Sequence, residues 1–170
     1  MPLYTHEYHI NGHHREKVRD LTSAIFGKYI DVFTIAPIIG VLYQRTSPEI
    51  IDDQAPADIP IDVLYKNDRL ITKVFRLVVL NDRTLGWSTE KKIDYLFRNL
   101  TPNREAFELF ESYFRGGVEV LHEELLDGNH LQDPMTVAYR LTTFVEELNN
   151  CLKVSGPKDI IDICRSFPKK

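Results

Sequence analysis

Apolar positions along the chain recur mostly at helical spacing. Between His13 and Phe26, the residues Val18, Leu21, Ala24 and Ile25 fall on one face of a helix. Gly27 then stands where a left-handed residue ends such a helix. Tyr29 to Tyr43 is apolar nearly all round, with Ile30, Val32, Phe33, Ile35, Ala36, Ile38, Ile39, Val41 and Leu42, which predicts a helix in the centre of a core. Pro37 lacks a donor and its ring meets the carbonyl of Phe33, so a kink or a split is expected there. Leu70, Ile71, Val74, Phe75, Leu77 and Val78 mark a third helix from Asn67, with Asn67 or Asp68 as its cap. The preceding Ile61, Val63 and Tyr65 alternate in a way compatible with a short strand. Ser88 or Thr89 caps a short helix carrying Ile93, Leu96, Phe97 and Leu100.

The longest stripe begins at Asn103 and runs through Phe107, Phe110, Phe114, Gly117, Leu121 and Leu125. It contains two adjacent glycines, Gly116 and Gly117, each costing a helix interior about 0.5–1 kcal/mol relative to alanine. A junction between two helices is one reading. A single helix approached closely by another backbone is the favoured one, because the stripe keeps its phase across the pair. Asp127-Gly128-Asn129 ends this segment, and Asp133-Pro134 starts the next with a cap and a first-turn proline. That helix, Pro134 to Cys151, is expected to bury Val137, Leu141, Phe144, Val145 and Leu148. Ser155-Gly156-Pro157 closes it, and a short last helix runs from Lys158 to Arg165. The expected fold is mainly α, a single-domain bundle of about six or seven helices over residues 1–170. Its appendages are an N-terminal arm at 1–12 with a short strand or hairpin, an acidic proline-rich loop at 46–60 and a helical extension at 134–170.

Composition narrows the function classes. Of 170 residues, 43 % are apolar and 27 % charged, which excludes global disorder. A net charge of −4 argues against a surface uniformly adapted to phosphate backbone. Cys151 and Cys164 are the only cysteines, and without a secretory signal they read as reduced thiols of a cytoplasmic protein. No stretch reaches the roughly 18 apolar residues of a membrane span, so no membrane partner is expected.

Candidate chemistry is sparse. His6, His9, His13 and His14 crowd the N-terminus, and spacings of three and four can bring two imidazoles to one zinc ion. An exposed arm is the favoured reading, because no cysteine lies nearby and the segment holding His6 and His9 does not read as helix. Glu49, Asp52, Asp53 and Asp58 offer carboxylates to a hard cation, but the loop lacks a glycine for a calcium-binding turn, and a solvated loop is favoured. His122 with Glu119 and Glu123 makes an acid–base grouping beside the glycine pair, for which a surface histidine is the simpler explanation. Arg98, Arg104 and Arg115 lie scattered among acids, Lys91-Lys92 and Lys169-Lys170 are the only basic doublets, and Phe97, Phe107, Phe110, Phe114 and Phe144 read as core. No phosphate loop, dinucleotide fingerprint or nucleophile elbow is present. No catalytic residue, metal site or cofactor is therefore assigned.

Three segments in order carry a resemblance: Phe26-Gly27-Lys28-Tyr29-Ile30-Asp31-Val32-Phe33 leading to Ile39-Gly40, then Leu77-Val78-Val79-Leu80, then Leu109 to Gly117 ending with Leu121. Together they resemble a family of small proteins associated with DNA phosphorothioation systems in prokaryotes, over about Phe26 to Leu125. The chain departs from that pattern at Pro37, and Pro134 onward lies outside it. The resemblance implies a non-enzymatic accessory subunit of a multicomponent anti-phage defence or DNA-modification system. Such a subunit contacts a protein partner, a nuclease or ATPase subunit, and meets nucleic acid through the complex. Tyr113, Arg115, Gly116 and Gly117 are the candidate contact surface. Direct nucleic-acid binding and metal-dependent catalysis through the N-terminal histidines or the acidic loop are the alternatives, and homo-oligomerisation is left open.

Overall fold

The computed structural model describes residues 2–126 and 133–154, which form six α-helices and one two-stranded sheet. β1 (Tyr8–Ile10) pairs antiparallel with β2 (Ala57–Ile59), Tyr8 opposite Ile59 and Ile10 opposite Ala57. α1 (Gly12–Leu21) passes into one π turn, Thr22–Phe26, closed by Gly27 at a φ of 74° with its N–H on the Thr22 carbonyl. α2 (Tyr29–Leu42) follows at 103° to that helix. α3 (Ile61–Asn81), α4 (Thr89–Phe97), α5 (Arg104–Leu126) and α6 (Pro134–Val154) complete the order. No described helix is by itself long and apolar enough to cross a membrane.

The all-round apolar pattern of α2 has the meaning its composition suggests. Val32, Phe33 and Ala36 are fully buried, and the helix lies principally against α5. The Phe33 ring meets Tyr4, Tyr8, Phe110 and Phe114 at centroid distances of 4.8–5.9 Å, mostly in edge-on or tilted geometries that favour aromatic pairs. α2 continues through Pro37, itself buried, without a split.

α5 is one helix through the glycine pair, which removes the junction reading. Where α2 and α5 cross, a Cβ on Gly117 would fall 1.7 Å from the Ala36 carbonyl oxygen, and one on Gly40 would fall 2.2 Å from that of Tyr113. Backbone therefore lies on backbone there, at a distance no side chain permits.

The caps follow the sequence closely. Ser88 Oγ accepts the Lys91 N–H, Asn103 Oδ1 that of Ala106, and Asp133 Oδ2 that of Thr136. Other expectations give way to tertiary context. α3 starts at Ile61, because the Pro60 carbonyl accepts the N–H groups of Val63 and Leu64, and the strand lies before it, at β2. Leu70, Leu77, Ile93, Phe97 and Val145 are exposed although their stripes suggested core. The stripes they belong to are wider than the face their neighbours cover. Buried Asp82, which no pattern marked, accepts the N–H groups of Thr84 and Leu85 and the Tyr113 hydroxyl at 2.8 Å. Its carbonyl takes the buried ammonium of Lys92, half of the Lys91-Lys92 doublet. The expected terminator at 127–129, the last helix at 158–165, the Cys151 and Cys164 side chains and Lys169-Lys170 lie outside what is described.

Candidate functional site

Gly116 does more than thin the helix. A Cβ on it would fall 2.0 Å from the Arg45 carbonyl oxygen, so glycine here lets the segment after α2 lie flat on α5. That segment is pinned by the Ser47 N–H on the Ser112 carbonyl at 3.0 Å and by Arg115 Nε donating to the Ser47 carbonyl at 2.9 Å. Arg45 and Ser47 thereby come within reach of Glu119, one turn beyond Arg115. From the other side, Gly12 brings the start of α1 close, at a φ of +60° and with no room for a Cβ beneath the Ile50 carbonyl. The first turn of α1 then places His13 and His14 over the same carboxylate.

Four side chains converge on Glu119. Oε1 accepts Ser47 Oγ at 2.7 Å and lies 3.0 Å from His14 Nε2 and 3.3 Å from His13 Nε2, while Oε2 accepts Arg45 Nε at 3.1 Å. The Arg45 guanidinium turns its two terminal nitrogens to Glu123, at 2.6 and 2.8 Å. Burial acts to raise the Glu119 carboxyl, but the hydrogen bonds from His14, Ser47 and His13 and the charge of Arg45 hold it well below the usual carboxylate range. Burial lowers the His14 imidazole against the pull of Glu119, so it is neutral at pH 7. The site thus joins a fixed anion to a neutral, 1 % exposed imidazole, with the half-exposed His13 ring 3.9 Å from that of His14. The ligand atoms of His13, His14 and Glu119 lie within 4.8 Å of one another.

A family described as DNA sulphur modification system-associated protein 4 matches residues 12–150. The chain belongs to that family. No curated protein and no solved structure matches it. Membership gives the chain an association with DNA sulphur modification systems. The match takes in the whole convergence on Glu119 and, extending beyond Leu125, most of α6, which the three-segment resemblance did not reach.

Within this family member the sequence-derived candidates separate. Gly116 and Gly117 are covered by the chain's own backbone, and Tyr113 is buried with its hydroxyl on Asp82, so a partner would find this stretch of α5 already occupied. Arg115 is half-buried over Ser47. The N-terminal histidines do not form a loose arm: His9 lies in β1 with Nδ1 2.6 Å from Asp58, and His14 is buried in α1. His122 is buried and turns away from the surface to Asp20 at 3.0 Å, so it does not form the acid–base grouping with Glu119. In the acidic loop, Asp52 receives the buried Arg15 guanidinium at 3.0 and 3.2 Å, a charge pairing rather than a set of free carboxylates. His13, His14 and Glu119 were each singled out in the sequence, but not as one group, because His14 and Glu119 are 105 residues apart.

One turn before Arg115, burial lifts the Glu111 carboxyl to about 7, although the Arg115 charge acts against it. A folded value above the unfolded 4.5 means that folding favours the protonated form. Glu111 therefore supports stability below pH 4.5, and that support is lost as pH rises through 7. Glu111→Gln is expected to remove on the order of 2 kcal/mol of this alkaline loss. Urea unfolding at pH 5 and pH 8 measures it, and an unchanged pH slope in the variant would refute it.

Proposed function

We propose that the protein is a cytoplasmic, non-enzymatic accessory subunit of a DNA sulphur modification system linked to anti-phage defence. It acts by contact with a protein partner, a nuclease or ATPase component of that system. Family membership supports the setting, and one structural observation supports contact as the mode of action. The outward faces of α3 and α4 expose Leu70, Leu77, Ile93 and Phe97. Arg76 ties these faces together, donating from Nε to the Leu96 carbonyl at 2.9 Å and lying 5.0 Å over the Phe97 ring. Lys66, Arg69 and Lys73 on α3 and Arg98 at the end of α4 are exposed, with Lys66 paired to Asp62 and Arg98 to Asp94. An apolar centre with a charged rim is the make-up of a protein interface, and this one suits a partner with an acidic rim.

The contact surface is thus moved from the glycine pair to the α3–α4 face. Co-expression with the products of neighbouring genes tests the assignment. The double variant Leu70→Glu, Phe97→Glu is expected to retain the wild-type fold by circular dichroism and to lose co-purification with its partner. Retention of the partner by that variant would refute the assigned face.

The same helix supports a second reading, direct nucleic-acid contact. Lys66, Arg69, Lys73 and Arg76 follow one another at steps of three and four along α3, forming the local basic stripe that such binding requires. A gel shift that weakens steeply with salt and is lost in Arg69→Glu, Lys73→Glu would favour this reading over protein contact.

A further inference from the structure

We propose that His13, His14 and Glu119 bind a divalent transition-metal cation of the zinc class, clamping the first turn of α1 to α5. Two imidazole nitrogens and a carboxylate oxygen form an accepted zinc donor set when solvent supplies the fourth position. Both imidazole–carboxylate separations fit that use, and all three ligand atoms lie within 4.8 Å of one another. Ligands about 2.0–2.1 Å from a tetrahedral ion stand about 3.3 Å apart. His13 Nε2 and His14 Nε2 stand 3.3 and 3.0 Å from Glu119 Oε1.

The surroundings match the demands of a metal on its ligands. A ligand carboxylate must be ionised and oriented, and Ser47 Oγ and Arg45 Nε hold Glu119 in place through both of its oxygens. The Arg45 charge does not oppose a cation unopposed, because Glu123 engages both terminal nitrogens of that guanidinium. The His13 side chain is 40 % exposed, which leaves a solvent path to the fourth position.

Zinc titration of the full-length, untagged protein against a chromophoric chelator tests the proposal. Wild type is expected to take up about one Zn²⁺ per chain. His13→Ala, at a half-exposed position, is expected to weaken binding at least tenfold while leaving the helical circular dichroism unchanged. Glu119→Gln is expected to weaken it similarly. His6→Ala, His9→Ala is expected to bind as wild type does. Absence of zinc uptake by wild type, uptake unaffected by His13→Ala, or uptake that follows His6 and His9 would each overturn the assignment.

Discussion

Gly117→Leu is expected to abolish cooperative folding of the isolated protein, and Gly117→Ala to lower its unfolding free energy by about 3 kcal/mol. Helix propensity alone predicts the opposite sign for alanine, a gain of about 0.5–1 kcal/mol. The clash reverses it. The added Cβ would lie 1.7 Å from the Ala36 carbonyl oxygen and 2.9 Å from the Gly40 nitrogen. Both are backbone atoms inside α2, so no side chain can swing aside, and relief requires the two helices to part. Parting them would loosen the packing of Phe33 on Phe110 and Phe114. Gly116→Ala meets the Arg45 carbonyl at 2.0 Å and should also be costly, with the added effect of lifting Arg45 and Ser47 away from Glu119. Urea unfolding followed by circular dichroism measures these losses. A Gly117→Ala protein as stable as wild type would refute the close crossing. A folded Gly117→Leu protein that merely lost its partner would move the contact surface back to α5.

Glu119→Ala is expected to cost about 3 kcal/mol, measured in EDTA so that no bound cation contributes. The substitution deprives Ser47 Oγ, His13 and His14 of their shared acceptor and leaves the His14 imidazole buried with neither nitrogen bonded. It also releases Arg45 from one of its two carboxylates. Glu119→Gln keeps the shape and one acceptor oxygen and should cost about half as much. Glu123→Ala, at a 45 % exposed side chain, should cost under about 1 kcal/mol. Equal losses at 119 and 123 would show that the convergence on Glu119 contributes no more than a surface pair.

Much of this architecture is legible in the chain, for physical reasons that differ between elements. α5 could be read through its two glycines because Phe110, Phe114, Gly117 and Leu121 keep helical phase. The central place of α2 follows from its having no polar face. Ser88 and Asp133 could be read as caps because capping is local chemistry. β2 could not be read: it has three residues within an acidic, proline-rich stretch, and its partner β1 lies 49 positions away. The start of α3 was obscured because Ile61, Val63 and Tyr65 alternate like a strand, whereas Leu64 is the residue that α3 buries there. The candidate site was the least legible part. His13, His14, Arg45, Ser47 and Glu119 come from three distant segments, and each alone resembles a solvated polar residue. The glycines, in contrast, announced a close approach without showing that one of them serves to position the loop bearing Arg45.

The crossing of α2 on α5 also sets an order of events during synthesis. Gly117 follows Ala36 by 81 residues. At about 5–20 residues per second, α2 spends about 4–16 s outside the translating machinery before its main covering helix exists. An oily segment with no polar side to turn toward water is, for that interval, the part of the nascent chain most prone to self-association and the natural point for a chaperone to hold.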